Sequence, residues 1–295
     1  MENLGLCELC PHRCRANRFS GADAGFCGAL DKVRVFRWGP HFGEEPPITG
    51  ERGSGCVFFS RCTMKCIYCQ NSPWSWKGAG EDKTIEELIE IFRTLVLKDK
   101  VENINLVSPT PYLPFIREAH HVLKKDGIKI PYVWNSSGYE RREVLDEYGE
   151  LCDWALFDLR YSRDETARKL SSAAGYVEAS RAAVKWAYEK KDSNLIVRIL
   201  VLPGHHEEAI ENLAFLASEL SSDIKVSIMS QYTPAYKALD TPPLNRSVTK
   251  DEYEEVVEAA EDFGFENGWI QGYEASDPKL ALLGENMTES YGVVK

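Results

Sequence analysis

The sequence predicts an α/β fold in which parallel strands alternate with helices, preceded by a small cysteine-rich segment. Six short apolar runs, each the length of one strand, recur between residues 56 and 229. The segments between these runs place apolar residues on one helical face, for example Leu88, Ile91 and Leu95. Eight of the nine cysteines lie before residue 70, where no such regularity is present. Alternation of strands and helices is typical of a parallel sheet with right-handed crossovers.

The predicted elements follow one another through short connections. The strands cover 56–60, 103–108, 130–136, 153–159, 194–202 and 223–229. The helices cover a segment from Thr84 onward, then 112–126, 140–150, 163–190, 206–220 and a segment from Thr249 to about residue 263. Thr84 and Thr249 each precede a glutamate by three residues, which is the pattern of a capping box. Earlier in the chain, 33–38 alternates like a strand, and 39–55 is rich in turn residues and is predicted to be a connector.

Six strand–helix units are fewer than the eight of a closed barrel. The sequence therefore leaves two arrangements open, an incomplete barrel and a doubly wound sheet. The strands are apolar on both faces, which favours parallel pairing. We expect a cysteine-rich metal-binding segment with its connector at 1–55, and a strand–helix domain with a C-terminal extension at 56–295.

Composition narrows the class of protein. The net charge is −11, and an acidic surface repels phosphate backbones, so nucleic-acid binding is disfavoured. No apolar run approaches about eighteen residues, so we predict no transmembrane helix and no membrane partner. The N-terminus lacks a basic stretch followed by an apolar core, so we expect no signal peptide and a cytoplasmic location. In the cytoplasm, clustered cysteines are read as metal ligands before disulfides.

The stretch "RCTMKCIYCQ" carries Cys62, Cys66 and Cys69 directly after the first predicted strand of the domain. In barrels of parallel strands, reactions take place at the carboxyl ends of the strands. Three thiolates leave one coordination position without a protein ligand, which suits an iron–sulfur cluster with one open iron. The alternative is a closed structural zinc site that takes a distant fourth ligand, such as His41 or Cys56.

The motif "CTMKCIYCQN" resembles the signature of the radical S-adenosylmethionine superfamily, Cys-x3-Cys-x2-Cys with an aromatic residue before the last cysteine. The resemblance covers roughly residues 56–230 and implies a partial (β/α)6 TIM-like barrel. It implies a 4Fe-4S cluster on Cys62, Cys66 and Cys69, with S-adenosylmethionine chelating the fourth iron. It further implies an oxidoreductase that works anaerobically, cleaves this cofactor to a 5′-deoxyadenosyl radical and abstracts hydrogen from a substrate.

Further residues are expected at the cofactor. Tyr68 is expected beside the adenine, and Ser108, Pro109 and Thr110 occupy the position where the family's small or glycine-rich stretch meets the methionine amino group. This chain lacks the two glycines that are usual there, so an ordinary turn is the alternative. The remaining candidates are polar residues at or near strand ends: Asn135, Ser136, Asp158, Arg160 and Arg198.

Each of these polar candidates also has a structural interpretation. Asn135 and Ser136 are expected at ribose or carboxylate oxygens, although both are common turn residues. Asp158 and Arg160 resemble an Asp–Lys pair in the glycyl-radical-activating branch, with arginine in place of lysine, and a surface salt bridge is the alternative. Arg198 lies inside an apolar strand, where a charge needs a partner. That partner is predicted to be either the cofactor carboxylate or Asp158.

Four more cysteines lie near the N-terminus, as Cys7, Cys10, Cys14 and Cys27. Four thiols in a segment without an apolar core indicate a metal site, either a zinc staple or a second iron–sulfur cluster. The arrangement is similar to the branch named for the pyruvate formate-lyase activating enzyme, although true activases do not usually carry these cysteines.

Three functions remain open at this point. The chain is predicted to activate a glycyl radical enzyme, or to act on a small molecule or another peptide, with flavodoxin or ferredoxin as electron donor. The third alternative is a non-catalytic iron–sulfur or zinc module for electron transfer, which the strand–helix framework disfavours.

Overall fold

A computed structural model describes residues 5–21, 25–191 and 194–273, and the backbone of 291–293. The strands of the described part form one sheet: β1 (Val33–His41), β2 (Ser54–Phe59), β3 (Glu81–Lys83), β4 (Ile104–Val107), β5 (Tyr132–Ser136), β6 (Trp154–Asp158), β7 (Leu195–Leu200), β8 (Lys225–Met229), β9 (Gly268–Gln271) and β10 (Tyr291–Val293). The helices are α1 (Pro46–Thr49), α2 (Ser72–Ser75), α3 (Ile85–Arg93), α4 (Leu113–Lys125), α5 (Arg142–Tyr148), α6 (Asp164–Ser171), α7 (Tyr176–Lys191), α8 (His206–Glu219) and α9 (Lys250–Asp262). A π-helical turn at Thr94–Lys98 continues α3, and 3-10 turns lie at Thr110–Tyr112, Gly149–Leu151 and Tyr236–Asp240.

Strand order decides between the two sheet arrangements. The strands β2, β4, β5, β6, β7, β8 and β9 are parallel and lie side by side in the order in which they follow along the chain. A doubly wound sheet reverses its strand order near the middle, and this sheet does not. The fold is therefore a partial TIM-like barrel.

All six predicted parallel strands are present, and β9 adds a seventh. This strand lies in the C-terminal extension, where no strand was predicted, because its four residues carry almost no periodic signal. Gly268 allows the pairing: a Cβ at this position would stand 1.9 Å from the Val226 carbonyl oxygen of β8. The close approach of the two backbones therefore requires glycine here.

The segment predicted as a connector is built into the barrel. The strand β1 continues to His41 and pairs antiparallel with β2, and α1 follows within the same segment. Pro46 at the start of α1 needs no hydrogen bond for its nitrogen, so two prolines begin a helix where the sequence suggested only turns. Ile48 of α1 is fully buried in a cluster with Val133, Leu156 and Ile196, which lie in the amino-terminal or central part of β5, β6 and β7. Consequently α1 forms the floor of the barrel.

The large core lies between the sheet and the outer helices. Side chains that alternate along the strands, such as Leu106, Phe157 and Val197, pack there against Phe92 of α3 and Leu213 of α8. Both predicted capping boxes are confirmed. Each threonine hydroxyl accepts a hydrogen bond from the backbone amide of the glutamate three residues later, and the side chain of that glutamate accepts one from the threonine amide. Among the described residues, no helix combines the length and apolar character needed to cross a membrane.

Candidate functional site

The three-cysteine loop follows β2, and neighbouring segments hold its backbone in place. The amides of Lys65 and Ile67 donate to the carbonyls of Ser171 and Leu170 at the end of α6, both at 2.8 Å. The Ile67 carbonyl accepts from the Lys237 amide at 3.0 Å, in the segment after β8. The loop is thus fixed from two sides at the carboxyl edge of the barrel, where reaction sites of such barrels lie.

Cys66 has the most polar surroundings of the three cysteines. Its sulfur accepts from Ser171 Oγ at 3.0 Å and from Arg160 Nη1 at 3.2 Å. Ser171 Oγ lies 2.5 Å from the Tyr161 hydroxyl, which lies 2.6 Å from the hydroxyl of Tyr68. Because Ser171 donates to the sulfur, the two tyrosines donate in sequence toward it. Hydrogen-bond donors of this kind stabilise a thiolate ligand.

The other two sulfurs also have donors. The Met64 amide points to Cys62 Sγ at 3.4 Å, and Ser75 Oγ lies 3.2 Å from Cys69 Sγ. Burial raises the pKa of the Cys62 thiol, and it raises that of Cys69 to about 12. These thiols are therefore protonated near neutral pH unless a bound cation displaces the proton, as metal ligation does.

The donor set fits a cluster with three protein ligands. Cys56, one of the proposed fourth zinc ligands, points into the barrel, where its sulfur lies 3.6 Å from Glu44 Oε1. Within the described ranges, no three His, Cys, Asp or Glu side chains surround a point that a single ion would fill. In a 4Fe-4S cluster each thiolate ligates a different iron, so the three sulfurs need not converge on one point.

The stretch after β4 has an unusual backbone. Ser108 has a φ of 59°, and its amide donates to the Asn135 carbonyl at 2.8 Å. This left-handed conformation is one that glycine adopts without strain, so a serine here takes the shape expected of the missing glycine. Pro109 and Thr110 are buried behind it.

Thr110 and Ser136 lie close to a carboxyl group that the sequence analysis did not single out. Thr110 Oγ1 donates to Glu140 Oε1 at 2.6 Å, and Glu140 is 1% exposed. Burial raises the pKa of Glu140 to about 7, and the Thr110 hydrogen bond lowers it less. Ser136 Oγ accepts from the Gly138 amide at 3.2 Å, whereas Asn135 occupies the neighbouring strand position and faces the opposite side of the sheet.

Asp158 and Arg160 form an ion pair at the end of β6. Arg160 Nη2 lies 2.5 Å from Asp158 Oδ2, and the same guanidinium donates to Cys66. The pair is largely buried, with side chains 23% and 16% exposed, so it is not the surface salt bridge considered above. The carboxylate therefore holds the arginine against a sulfur of the loop.

Arg198 lies deeper in the barrel. Its guanidinium donates to Glu45 at 2.6 and 2.7 Å and also contacts Glu44. Glu45 is fully buried and Glu44 is 7% exposed. The charge in this apolar strand is thus balanced by carboxylates from the segment before α1, a partner that neither interpretation of Arg198 included. A contact with cofactor stays a prediction for this residue.

The N-terminal cysteines form a second group beside the loop. Cys7, Cys10 and Cys27 are buried and Cys14 is exposed. Burial raises the pKa of Cys10 and of Cys27, and the charges of Cys7 and Cys27 act on Cys10 in the same direction. The four thiols are thus near neighbours in one small segment.

The segment after β8, which includes Gln231 and Tyr232, covers the cysteine loop. The rings of Tyr232 and Tyr68 are 5.9 Å apart, and Gln70 Nε2 donates to the Gln231 carbonyl at 3.3 Å. Tyr68 belongs to the cysteine loop and is 4% exposed, and its ring faces this segment.

Comparison with known proteins agrees with this geometry. The family profile described as Radical SAM superfamily matches residues 56–217, more than half of the chain. The chain belongs to the radical S-adenosylmethionine superfamily. An uncharacterized protein of Methanocaldococcus jannaschii is 31% identical over 271 residues, which cover 88% of this chain and 75% of that protein.

Two further matches are more distant in sequence. Pyruvate formate-lyase 1-activating enzyme of Escherichia coli K12 is 26% identical over 159 residues, covering 52% of this chain and 62% of that enzyme. The crystal structure of Streptococcus suis SuiB superposes with a TM-score of 0.48 and 15% identity, over 74% of this chain and 49% of that one.

Six residues at or below the site were not predicted from the sequence: Ser171, Tyr161, Ser75, Glu140, Glu44 and Glu45. Ser171 is 105 positions from Cys66, and nothing in the local pattern connects them. Glu44 and Glu45 could have been considered from the sequence, because a buried arginine such as Arg198 requires carboxylate partners. Glu140 follows a strand end and carried no such signal.

Proposed function

We propose that this chain reductively cleaves S-adenosylmethionine and uses the 5′-deoxyadenosyl radical to abstract hydrogen from a substrate. The observation that carries the proposal is the set of Cys62, Cys66 and Cys69 on one fixed loop at the reactive edge of the barrel. When bound there, the 4Fe-4S cluster supplies the electron that breaks the C5′–S bond of the cofactor, which releases methionine.

The chain's own residues hold and shield this site. Ser171 and Arg160 orient the Cys66 sulfur through hydrogen bonds, and Asp158 holds the arginine. We assign Tyr68 to the adenine ring, because it lies in the cysteine loop next to Cys69 and is buried. Tyr232, whose ring lies against Tyr68, is expected to keep water away from the radical.

The remaining cofactor contacts are assigned to the strand ends. The Ser108–Thr110 turn is proposed to receive the methionine ammonium through carbonyl and hydroxyl oxygens. Asn135 and Ser136 are proposed for ribose or carboxylate oxygens. The cofactor carboxylate is assigned to Arg160, which lies beside Cys66. Arg198 is a weaker candidate because two glutamates already engage it.

For the substrate, we propose a backbone glycine of a glycyl radical enzyme. The support is the similarity to pyruvate formate-lyase activating enzymes, which extends over 52% of the chain. A small molecule or another peptide is the alternative, and a reduced flavodoxin or ferredoxin is the proposed electron donor.

Cofactor cleavage is tested by anaerobic reconstitution with iron and sulfide, followed by reduction with dithionite and addition of S-adenosylmethionine. We expect 5′-deoxyadenosine and methionine to form in equal amounts, and Cys66→Ala to abolish both. Cys152→Ala is the matched control, since Cys152 is another fully buried cysteine but lies outside the loop. If the wild type forms no more 5′-deoxyadenosine than Cys66→Ala, the chain is a non-catalytic iron–sulfur module.

The substrate class is tested by isotope transfer. Pyruvate formate-lyase carrying α-deuterated glycine is incubated with the reduced protein and S-adenosylmethionine. Deuterium in the recovered 5′-deoxyadenosine supports the activase assignment. Unlabelled 5′-deoxyadenosine formed at the rate seen without the lyase would exclude this lyase and favour the small-molecule or peptide alternative.

A further inference from the structure

The N-terminal cysteine segment and the Cys62 loop are joined through one histidine. His12 lies between Cys10 and Cys14 in the N-terminal segment. The ring Nε2 of the same residue lies 2.8 Å from the Thr63 carbonyl, which accepts the hydrogen bond. Thr63 follows Cys62 in the chain, so this hydrogen bond joins the segment of one cysteine group to the loop of the other.

A second contact runs beside the first. The ring of Phe26, the residue before Cys27, stacks on His12 with the ring centres 3.6 Å apart. The Lys65 ammonium lies 5.9 Å from the centre of the Phe26 ring. Lys65 lies between Cys62 and Cys66 in the chain, so this contact also runs from the N-terminal segment to the cysteine loop.

The segment is docked rigidly on the barrel. Arg18 is 1% exposed, and its guanidinium donates to the Leu30 carbonyl and, at 2.5 Å, to the Pro111 carbonyl that follows β4. Arg141, before α5, donates to the Glu8 carbonyl between Cys7 and Cys10. These bonds fix the distance between the two cysteine groups. A separate zinc module with only a structural role would not require a fixed distance to the Cys62 loop.

We propose that Cys7, Cys10, Cys14 and Cys27 hold a second iron–sulfur cluster that relays electrons to the cluster at Cys62, Cys66 and Cys69. Four thiolates are the complete ligand set of a 4Fe-4S cluster. Cys14 is exposed and marks the side where a donor protein delivers the electron, whereas Cys7, Cys10 and Cys27 are buried. Four thiolates also bind zinc in other proteins, but zinc has no redox chemistry, and among the described residues no three such side chains converge on a single-ion position.

The relay step transfers one electron and neither makes nor breaks a bond. The donor, of the flavodoxin or ferredoxin class, is oxidised by one electron, and the second cluster is reduced and then reoxidised as it passes the electron on. The electron is consumed at the sulfonium of S-adenosylmethionine. This relay rests on the proposed function, but the presence of a second cluster does not.

Metal content tests the second cluster independently of catalysis. In a Cys62→Ala, Cys66→Ala, Cys69→Ala triple variant we expect about four irons per chain and a paramagnetic signal on reduction. Zinc without iron in this variant would overturn the proposal. Should the triple variant fail to fold, a Cys10→Ser, Cys14→Ser variant serves instead, with iron expected to fall from about eight to about four. Unchanged iron in that double variant would also overturn it.

Electron delivery tests the relay. Formation of 5′-deoxyadenosine is compared in the wild type and the Cys10→Ser, Cys14→Ser variant, with reduced flavodoxin or with dithionite as the reductant. We expect the flavodoxin-driven rate to fall far more than the dithionite-driven rate, because the small reductant reaches the Cys62 cluster directly. Equal losses with both reductants would contradict a relay while leaving the cleavage activity and the second cluster standing.

Discussion

The residues around Cys66 link structure to redox chemistry most directly. Ser171, Tyr161 and Tyr68 form a buried chain of hydroxyls that ends in a hydrogen bond to this sulfur. Reduction of a cluster adds negative charge that its thiolate ligands share, so a donor to the sulfur stabilises the reduced state. The chain of hydroxyls therefore contributes to the reduction potential of the site.

Ser171→Ala is expected to lower the reduction potential of the Cys62 cluster. Loss of about 1 kcal/mol of differential hydrogen bonding corresponds to about 40 mV for a one-electron couple. Potentiometric titration followed by electron paramagnetic resonance measures the shift. Ser180→Ala is the control, since Ser180 is equally buried but its hydroxyl bonds to the Val177 carbonyl. A potential that is the same in both variants would show that Ser171 only packs against the sulfur.

Glu140 gives the fold a pH dependence. Its pKa of about 7 in the folded chain exceeds the usual 4.5, so between these pH values the folded chain keeps a proton that the unfolded chain releases. The contribution of this group to stability is present below about pH 4.5, falls as the pH rises to about 7, and stays low above that.

Glu140→Gln removes this ionisation. We expect its free energy of unfolding to exceed that of the wild type by up to about 3 kcal/mol at pH 8, with little difference near pH 4.5. Urea unfolding at the two pH values measures the difference, and Glu178→Gln provides the same substitution at an exposed helical position. A stability difference that does not change with pH would refute the raised pKa.

Site residues could be predicted from the sequence where they lie close together in the chain. Cys62, Cys66 and Cys69 lie within eight consecutive positions, so the sequence alone predicts their grouping. Ser171 and Glu140 approach the site only through the fold, and their hydroxyl and carboxyl groups are common at turns and surfaces. No local rule distinguishes them from such residues before the barrel is assembled.

Among the elements, the short helix α1 with the two glutamates before it determines the interior of the barrel. Glu44 and Glu45 enclose the guanidinium of Arg198, and Ile48 packs below them. The Asn105 amide donates to Glu44 at 3.1 Å, which satisfies a further carboxylate oxygen. The barrel interior therefore consists of an apolar floor, a charged layer above it, and the cysteine loop at the carboxyl edge.

Arg198→Met leaves two carboxylates buried without their cation. Breaking a buried ion pair in this way costs about 3–5 kcal/mol, and we expect a loss of stability in that range. Urea unfolding followed by circular dichroism measures it. The matched control is Arg52→Met, which removes an arginine–carboxylate pair on the surface, with Glu102. Equal stability of the two variants would mean that the charged layer does not hold α1 in place.

The sequence predicts elements well where length and capping supply a signal. The helices at Thr84 and Thr249 begin where their capping boxes predict. By contrast, β9 is four residues long and α1 begins with two prolines, so neither has a pattern that stands out from a turn. Both are stabilised by tertiary contacts, which only the assembled barrel provides.

At the scale of the whole molecule, the order of the parallel strands brings distant segments to one edge. The cysteine loop after β2, the turn after β4, the ion pair after β6 and the cover after β8 all lie at the carboxyl ends of their strands. The N-terminal cysteine segment docks beside the same edge through His12 and Arg18. The sequence predicts in outline that these segments meet, because the carboxyl ends of parallel strands lie at the same edge of the barrel.

The central claim is that one iron at the Cys62 loop has no side-chain ligand and binds S-adenosylmethionine. The most direct measurement is electron–nuclear double resonance on the reduced protein with S-adenosylmethionine labelled with 15N in its amino group. We predict a 15N coupling to the cluster that disappears in Cys66→Ala and persists in Cys152→Ala. A fully assembled and reduced cluster that shows no coupling to the labelled amino group would contradict the claim.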